Sequence, residues 1–107
     1  MKKIEAFIKS HRIDEVALAL HHVEGLTGMT MTDARGFGRG RGPEHDPNEL
    51  HEIVRVEVFC EDALAETVVT TIEQAAHTGL RGDGKIYVIP VEQSVRISSG
   101  ERGEVAV

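Results

Sequence analysis

The spacing of hydrophobic and polar residues changes twice along the first third of the chain. Residues 2–9 alternate, with the apolar side chains on one face, which predicts a β-strand. Residues 12–24 then place apolar side chains three and four positions apart, which is the pattern of an amphipathic helix. Residues 29–34 alternate again and predict a second strand.

The remainder of the chain repeats this order after an aperiodic stretch. Periodicity is lost from Gly36 to about Asn48, where glycines, arginines, prolines and acidic residues indicate a loop. The elements predicted beyond it are, in order, a strand at 53–60, a helix at 63–77, a strand at 86–91 and a short strand at 94–98. Asp62 is the predicted N-cap of the second helix.

The order of the main elements is β-α-β-β-α-β, which is typical of the ferredoxin-like motif. The predicted fold is therefore an α+β sandwich, in which one antiparallel sheet packs against two helices on one of its faces. The connection between the second and third strands, about 37–52, is much longer than a hairpin needs, so we expect a mobile, functional loop. A length of 107 residues fits a single domain, 1–107.

Composition narrows the class of protein. The net charge of −6 argues against a dedicated nucleic-acid binder, which needs excess basic residues to neutralise phosphates. Cys60 is the only cysteine, so no disulfide framework can form within one chain, and its apolar surroundings predict a buried thiol. The sequence shows no signal peptide and no stretch apolar enough for membrane insertion, so we expect a cytoplasmic protein.

Positive charge is concentrated in two glycine-rich stretches. Arg35, Arg39 and Arg41 lie in the first, and Arg81 and Lys85 lie in the second. Local basic sites on an acidic protein suit a small anionic ligand better than a long polyanion. The first stretch also has the character of a short RGG tract, which suggests RNA binding, but the acidity of the whole chain disfavours that interpretation.

The second glycine-rich stretch, Gly79–Lys85, matches most of a phosphate-binding P-loop, G-x4-G-K. Two features exclude a P-loop ATPase, because Ile86 offers no hydroxyl group to Mg²⁺ and a strand pattern follows where a helix is required. The glycines still allow backbone N–H groups to converge on an anion, and the lysine adds a cation. The alternative is a plain connecting loop, with one glycine ending the helix and an Asp-Gly turn.

His45 and His51 lie among acidic residues in and just after the aperiodic stretch. Imidazole together with carboxylates suits divalent transition metals, so the two histidines are candidate ligands. Their spacing matches no standard zinc signature, and a solvated polar loop is the alternative. No Ser-His-Asp or Cys-His arrangement is indicated, so the sequence does not predict an enzyme.

Four segments taken together resemble the PII signal-transduction family over nearly the whole chain. They are Met1–Lys9, Gly28–Thr32, Gly36–Arg39 and Thr78–Val88, of which the last looks like the family's carboxy-terminal signature, with Tyr87 where Phe or Trp is usual. The resemblance implies a homotrimer of ferredoxin-like subunits that binds adenine nucleotides (ATP, ADP or AMP) in the clefts between neighbours. It also implies that the long loop reports the ligand state to a target protein.

The resemblance further implies which residues hold the nucleotide. The residues bordering it are Thr30, Gly38 and Arg39. The residues at or beside its phosphates are Thr78, Gly79, Gly82, Asp83, Gly84 and Lys85. Arg96 is implied to reach the phosphates from near the C-terminus, and Ser98 stands two positions later, where the family commonly has a second arginine.

The chain departs from the family pattern at several positions. Ser98 removes a cation, so we expect ADP or AMP to compete well with ATP. Gly40 stands where the family has a glutamine that helps to hold Mg²⁺ and 2-oxoglutarate, and Ile53 stands where it has a lysine that pairs with 2-oxoglutarate. The loop is also several residues shorter than is usual and contains no tyrosine for uridylylation.

These departures favour a PII-like protein that reads adenylate state, with Mg²⁺ as a possible further ligand, over one that senses 2-oxoglutarate. A membrane transporter fits this expectation as the target protein. The alternative is a metal-binding PII-like protein linked to metal transport, with His45 and His51 as ligands.

Overall fold

The computed structural model describes residues 1–38 and 49–107. Its main elements are β1 (Lys2–Lys9), α1 (Ile13–His21), β2 (Thr30–Gly36), β3 (His51–Cys60), α2 (Asp62–Ala76) and β4 (Gly84–Pro90), with 3-10 turns at Ser10–Arg12 and Gly103–Ala106. The strands form one antiparallel sheet in the order β2-β3-β1-β4. This order, with the two helices, confirms the predicted ferredoxin-like α+β fold.

The core lies between one face of the sheet and the two helices. Alternate residues of β1 and β3 and spaced residues of α1 and α2 fill it; they are Ile4, Ala6, Ile8, Val54, Val56, Val58, Cys60, Val16, Leu20, Val68, Ile72 and Ala76. The core is therefore aliphatic, and it contains the one cysteine as predicted. Burial raises the pKa of the Cys60 thiol, which keeps it protonated and unreactive.

We call the other face of the sheet the open face, because no helix of the described residues packs on it. Its side chains in the central strands include Lys3, Glu5, Phe7, Lys9, Arg55, Glu57 and Phe59. The ammonium of Lys3 lies 2.8 Å from Glu5 Oε2 and 2.9 Å from Glu57 Oε2. The hydrogen bond from Lys3 lowers the pKa of Glu57, so this carboxylate stays ionised.

The strand directions define two ends of the sheet. β1 and β2 finish, and β3 and β4 begin, at what we call the loop end, where His51 lies opposite Gly36 and Gly84 lies opposite Ile8. At the other end, called the tail end, the N–H of Val91 donates to the carbonyl oxygen of Met1 at 3.1 Å. The long loop and the second glycine-rich stretch therefore leave the sheet at the same end.

Two element starts differ from the predictions, and the N-cap predicted at Asp62 is wrong. β3 begins at His51 rather than at Ile53, because residues 51 and 52 pair with Gly36 and Arg35. These two residues of the loop expected over about 37–52 therefore belong to the strand. Asp62 is the first helical residue of α2, and Glu61 is at the N-cap position without a side-chain cap hydrogen bond. The carboxylate of Asp62 instead accepts from the amino group of Met1 at 2.8 Å, which lowers its pKa.

The short strand predicted over 94–98 is also wrong. Within this segment, Val95 forms an isolated bridge with Arg102, and a tight turn connects them. In that turn the N–H of Gly100 donates to the carbonyl oxygen of Arg96 at 2.7 Å. β1 has its predicted bounds, and the other element boundaries move by at most three residues, α1 being the most shortened. None of the helices in the two described ranges is long and apolar enough to cross a membrane.

Candidate functional site

The second glycine-rich stretch forms a loop between α2 and β4, called here the glycine loop (residues 78–85). It starts where α2 stops, because His77 leaves the helix with extended backbone angles (φ −67°, ψ 126°). It ends on the sheet, where Gly84 lies opposite Ile8 and Lys85 opposite Phe7. The glycine loop is therefore held against the end of the central strand β1.

The carboxylate of Asp83 organises the glycine loop from inside. Its Oδ2 accepts from the backbone N–H of Thr78 at 2.8 Å and from that of Gly79 at 3.1 Å. The Thr78 hydroxyl donates to Oδ1, and it also accepts from the N–H of Leu80 at 3.1 Å. These hydrogen bonds, led by the one from the Thr78 hydroxyl, hold the pKa of Asp83 far below its usual range.

Two further side chains contact Asp83, and the sequence did not single them out. The ammonium of Lys9 lies 3.2 Å from Asp83 Oδ1 and 3.2 Å from the Thr78 hydroxyl. Nδ1 of His77 lies 3.4 Å from Asp83 Oδ2, which is an ion pair only when the histidine is protonated. Lys9 is the last residue of β1 and His77 directly follows α2, so a polar residue at the end of a regular element is the one weak signal that the sequence offers for them.

The hydrogen bonds within the loop decide which groups remain for a ligand. The N–H groups of residues 78–80 donate hydrogen bonds within the loop, whereas those of Arg81 and Gly82 have no hydrogen-bond acceptor in the described part of the chain. The side chains of Arg81 and Lys85 likewise form no ion pair within residues 1–38 and 49–107. An anion is therefore best received at residues 81–85, while Thr78 and Asp83 hold the loop in shape.

Gly84 allows the glycine loop to approach β1 closely. Its φ is +109°, and a Cβ at this position would overlap the carbonyl oxygen of Phe7 and lie 2.9 Å from the carbonyl carbon. Only glycine tolerates both conditions. The loop position thus depends on this residue as much as on Asp83.

A groove of about 430 Å³ between α2 and β4 opens beside the glycine loop. Its apolar wall includes Ile72 and Ile86, and its polar rim includes His77, Asp83 and Lys85. A volume of this order accommodates a small ligand. Space for a molecule larger than a single phosphate is therefore available next to the loop.

The predicted residues Thr30 and Gly38 lie on the opposite edge of the sheet from the glycine loop. Thr30 begins β2 and Gly38 lies two positions beyond its last residue, whereas Lys85 is on β4. Three strand spacings separate β2 from β4, which is about 14 Å. Gly38 lies beyond β2 at the loop end, which is also the end of the sheet where Lys85 lies. Arg39 is outside the described residues.

The predicted residues Arg96 and Ser98 lie at the tail end. Arg96 lines a small cavity of about 140 Å³ together with Cys60, and Ser98 is in the tight turn that follows. Cys60 is opposite Lys2, whereas Lys85 is opposite Phe7. Lys2 and Phe7 are five positions apart on β1, which corresponds to about 17 Å along the strand. One chain therefore does not bring Arg96 and Lys85 to the same place.

The prediction that His45 and His51 bind a metal receives no support from the described residues. It stays untested for residues 39–48, which lie outside them. His51 is on β3, opposite Gly36. Within residues 1–38 and 49–107, no group of three or more His, Cys, Asp or Glu side chains is arranged to hold a metal ion. His45 is outside the described residues.

The pKa of Asp83 leads to a prediction about acid stability. Because this pKa is lower in the folded chain than the unfolded value of about 3.9, ionised Asp83 stabilises the fold above about pH 4. That contribution declines below pH 4 and is lost as the pH falls through the folded pKa. Asp83→Asn should therefore lower the thermal midpoint of unfolding at pH 7. The difference between the midpoints of the variant and the unmodified chain should become smaller as the pH falls from about 4 to about 2.

Circular dichroism melts over that pH range provide the measurement. Asp33→Asn is the matched control, because Asp33 forms no ion pair among the described residues. An Asp83→Asn midpoint equal to that of the unmodified chain at pH 7 would contradict the stabilising role of the carboxylate.

The protein is a ferredoxin-like subunit with an anion-receiving loop at one end of its sheet. Comparison with known proteins shows to which family such a subunit belongs. The sequence model described as nitrogen regulatory protein P-II matches residues 1–101. The chain is 51% identical to a nitrogen regulatory protein P-II of Azospirillum brasilense and 42% identical to P-II 1 of Escherichia coli K12, in both cases over all of each chain. These alignments run over 114 positions, seven more than the 107 residues of this chain.

A solved structure agrees with these sequence matches. It is that of Arabidopsis thaliana PII bound to citrate, which superposes with a TM-score of 0.85 at 38% identity, over 99% of this chain and 91% of that one. The chain belongs to the nitrogen regulatory protein P-II family. This confirms the resemblance carried by the glycine-loop signature, and it identifies the chain as a regulatory protein.

Proposed function

We propose that this protein is a homotrimeric signalling protein that binds adenine nucleotides between its subunits and reports the bound state to a target protein. The loop between β2 and β3 is the reporting element in this proposal. The observation that carries it is the placement of two cationic groups, Lys85 in the glycine loop and Arg96 in the tail, at opposite ends of the same subunit.

The glycine loop supports phosphate as the recognised group. It offers the N–H groups of Arg81 and Gly82 and the cations of Arg81 and Lys85, none of which is paired in the described ranges. Backbone donors next to fixed cations favour a phosphate chain over a neutral ligand. The Arabidopsis thaliana PII with bound citrate, a multiply charged anion, is compatible with this preference.

The open face supports assembly of several subunits. It carries large apolar side chains at its outer parts, with Phe59 46% exposed and Tyr87 47% exposed. It also holds the buried Nε of Arg55, which lies 3.3 Å from Glu57 Oε1 but lacks a hydrogen bond of proper geometry in the described chain. Exposed apolar surface around an unsatisfied polar group favours a neighbouring copy on this face. A trimer would then bring the tail end of one subunit to the loop end of the next.

The departures at Ser98, Gly40 and Ile53 support the choice of effector. Ser98 is in the turn after Arg96, so one cation fewer faces the terminal phosphate, and ADP and AMP bind competitively with ATP. Ile53 lies directly opposite Lys9 at the loop end, where it offers no charge to a dicarboxylate. We therefore propose adenylate sensing, with Mg²⁺ accompanying ATP, and without 2-oxoglutarate sensing or uridylylation. The proposed target is a membrane transporter.

Calorimetric titration of ATP, ADP and AMP, with and without Mg²⁺ and 2-oxoglutarate, tests this function. We expect saturable binding of all three nucleotides. Lys85→Ala and Arg96→Ala should each weaken ATP binding about tenfold or more, because each removes a charge-assisted contact to phosphate. Lys2→Ala serves as the control, since Lys2 lies on the helix side of the sheet and pairs weakly with Asp62 at 3.9 Å. Absence of binding by every nucleotide at millimolar concentration would contradict the proposal.

A further inference from the structure

Lys9 lies close to the glycine loop, although the sequence assigned it no role in the site. It is the last residue of β1, and the alternation of that strand puts its side chain on the open face. Lys85 shares that face, because it lies opposite Phe7, two residues before Lys9. Diagonal neighbours of this kind on adjacent strands are about 7–8 Å apart. Lys9 therefore lies in the immediate surroundings of the proposed phosphate site.

The side chain of Lys9 joins both ends of the glycine loop. Its ammonium lies 3.2 Å from the hydroxyl of Thr78, the first residue of the loop, and 3.2 Å from Oδ1 of Asp83, two residues before its end. Its Cε is 3.9 Å from the position that a Cβ of Gly82 would occupy. The side chain is only 21% exposed, so it lies beneath the loop rather than in solvent.

The negative charge of Asp83 is unfavourable for phosphate binding, and the ammonium of Lys9 offsets it. A carboxylate inside a phosphate-binding loop repels the phosphates that the loop receives. Thr78 and the backbone N–H groups solvate that charge but do not neutralise it. His77 is 71% exposed and neutralises it only when protonated. Among the described residues, Lys9 is the one permanent cation in contact with Asp83.

We propose that Lys9 is a positioning residue that compensates the charge of Asp83, so that the glycine loop accepts a polyphosphate. Lys9 acts through Asp83 and Thr78 rather than by contacting the ligand, because its ammonium is already directed to those two oxygens. The inference rests on the proposed nucleotide binding. It adds a residue and a mechanism to that site, and it explains how an acidic residue can occupy such a loop.

A double-mutant cycle distinguishes compensation from direct contact. Calorimetry would compare ATP and AMP binding by the unmodified protein, Lys9→Met, Asp83→Asn and the double variant at one salt concentration. We expect Lys9→Met to weaken ATP binding about tenfold and AMP binding less, because repulsion grows with the number of phosphates. In the Asp83→Asn background the same change should cost less than about threefold, since the charge to be compensated is gone.

Three companion variants control the experiment. Lys9→Arg keeps the charge and should retain most of the ATP affinity. Lys9→Gln keeps a hydrogen-bond donor for Thr78 without the charge, and it replaces Lys9→Met in the cycle if the latter fails to fold. Lys2→Met makes the same change on the helix side of the same strand, away from the open face that carries Lys9 and Lys85, and it should bind like the unmodified protein.

The outcomes separate the inference from the function on which it rests. An equal loss of ATP affinity in both backgrounds would mean that Lys9 contacts phosphate directly, and it would overturn the compensation mechanism. Unchanged ATP binding by Lys9→Met or Lys9→Gln would also overturn it, while leaving the proposed nucleotide binding intact. No nucleotide binding by the unmodified protein would instead overturn the proposed function, and the inference with it.

Discussion

Replacing Gly84 with alanine is expected to lower the thermal midpoint by more than about 10 °C, or to abolish cooperative unfolding altogether. The added Cβ would overlap the carbonyl oxygen of Phe7, which belongs to the backbone of the central strand β1 and cannot rotate away. The φ of +109° adds a second penalty, since side-chain-bearing residues rarely adopt it. Relief of the overlap requires β4 to separate from β1, which opens one edge of the core. We expect a cost of at least about 3 kcal/mol in the free energy of unfolding.

Thermal and urea unfolding of the purified variant, followed by circular dichroism, would measure this effect. Gly28→Ala is the matched control, because nothing lies within 4 Å of the position that its Cβ would occupy. That control should unfold within a few degrees of the unmodified protein. A Gly84→Ala midpoint equally close to that of the unmodified protein would show that the loop can be rebuilt without the close approach of the two strands.

The fold was predictable because alternation and helical spacing report which side chains face the core. The buried face of β1 and the buried side of α2 both follow from such patterns, and the structure has them as predicted. The failed prediction at 94–98 has a physical cause. A five-residue apolar-polar pattern is too short to distinguish a strand from a turn, and hydrogen bonds within the turn around Arg96 satisfy the backbone instead.

The candidate site was predictable only in part. The glycine loop is contiguous in sequence, so a local pattern identified it. Lys9 lies 74 positions before Asp83, and their contact depends on the register between β1 and β4, which no local pattern fixes. The family resemblance also implied that Asp83 is a phosphate-site residue, whereas its hydrogen bonds to Thr78 and Gly79 favour a role in shaping the loop.

The distance in space between the other predicted site residues could not be predicted from the sequence. Lys85 and Arg96 are eleven positions apart, yet β4 carries the chain from the loop end to the tail end between them. A short separation along the chain thus becomes about 17 Å in the subunit. If both cations serve one nucleotide, they come from different copies, and this consequence can be tested directly.

Assembling two weakly binding variants into the same oligomer is expected to restore tight nucleotide binding. Lys85→Ala and Arg96→Ala should each bind ATP weakly as pure proteins, because every cleft lacks one of the two cations. In trimers assembled randomly from equal amounts of both, about a quarter of the clefts combine an intact Lys85 from one subunit with an intact Arg96 from its neighbour. Those clefts should bind ATP with the affinity of the unmodified protein.

Co-expression of the two variants with different affinity tags, purification of mixed assemblies and calorimetric counting of the high-affinity sites would measure this recovery. Lys85→Ala mixed with the Lys85→Ala/Arg96→Ala double variant is the control, because no cleft in that mixture contains Lys85. If Lys85 and Arg96 act from the same chain, the first mixture would recover nothing, since every chain in it lacks one cation. The site count therefore decides whether the two ends of this subunit meet across a cleft, independently of how tightly each nucleotide is held.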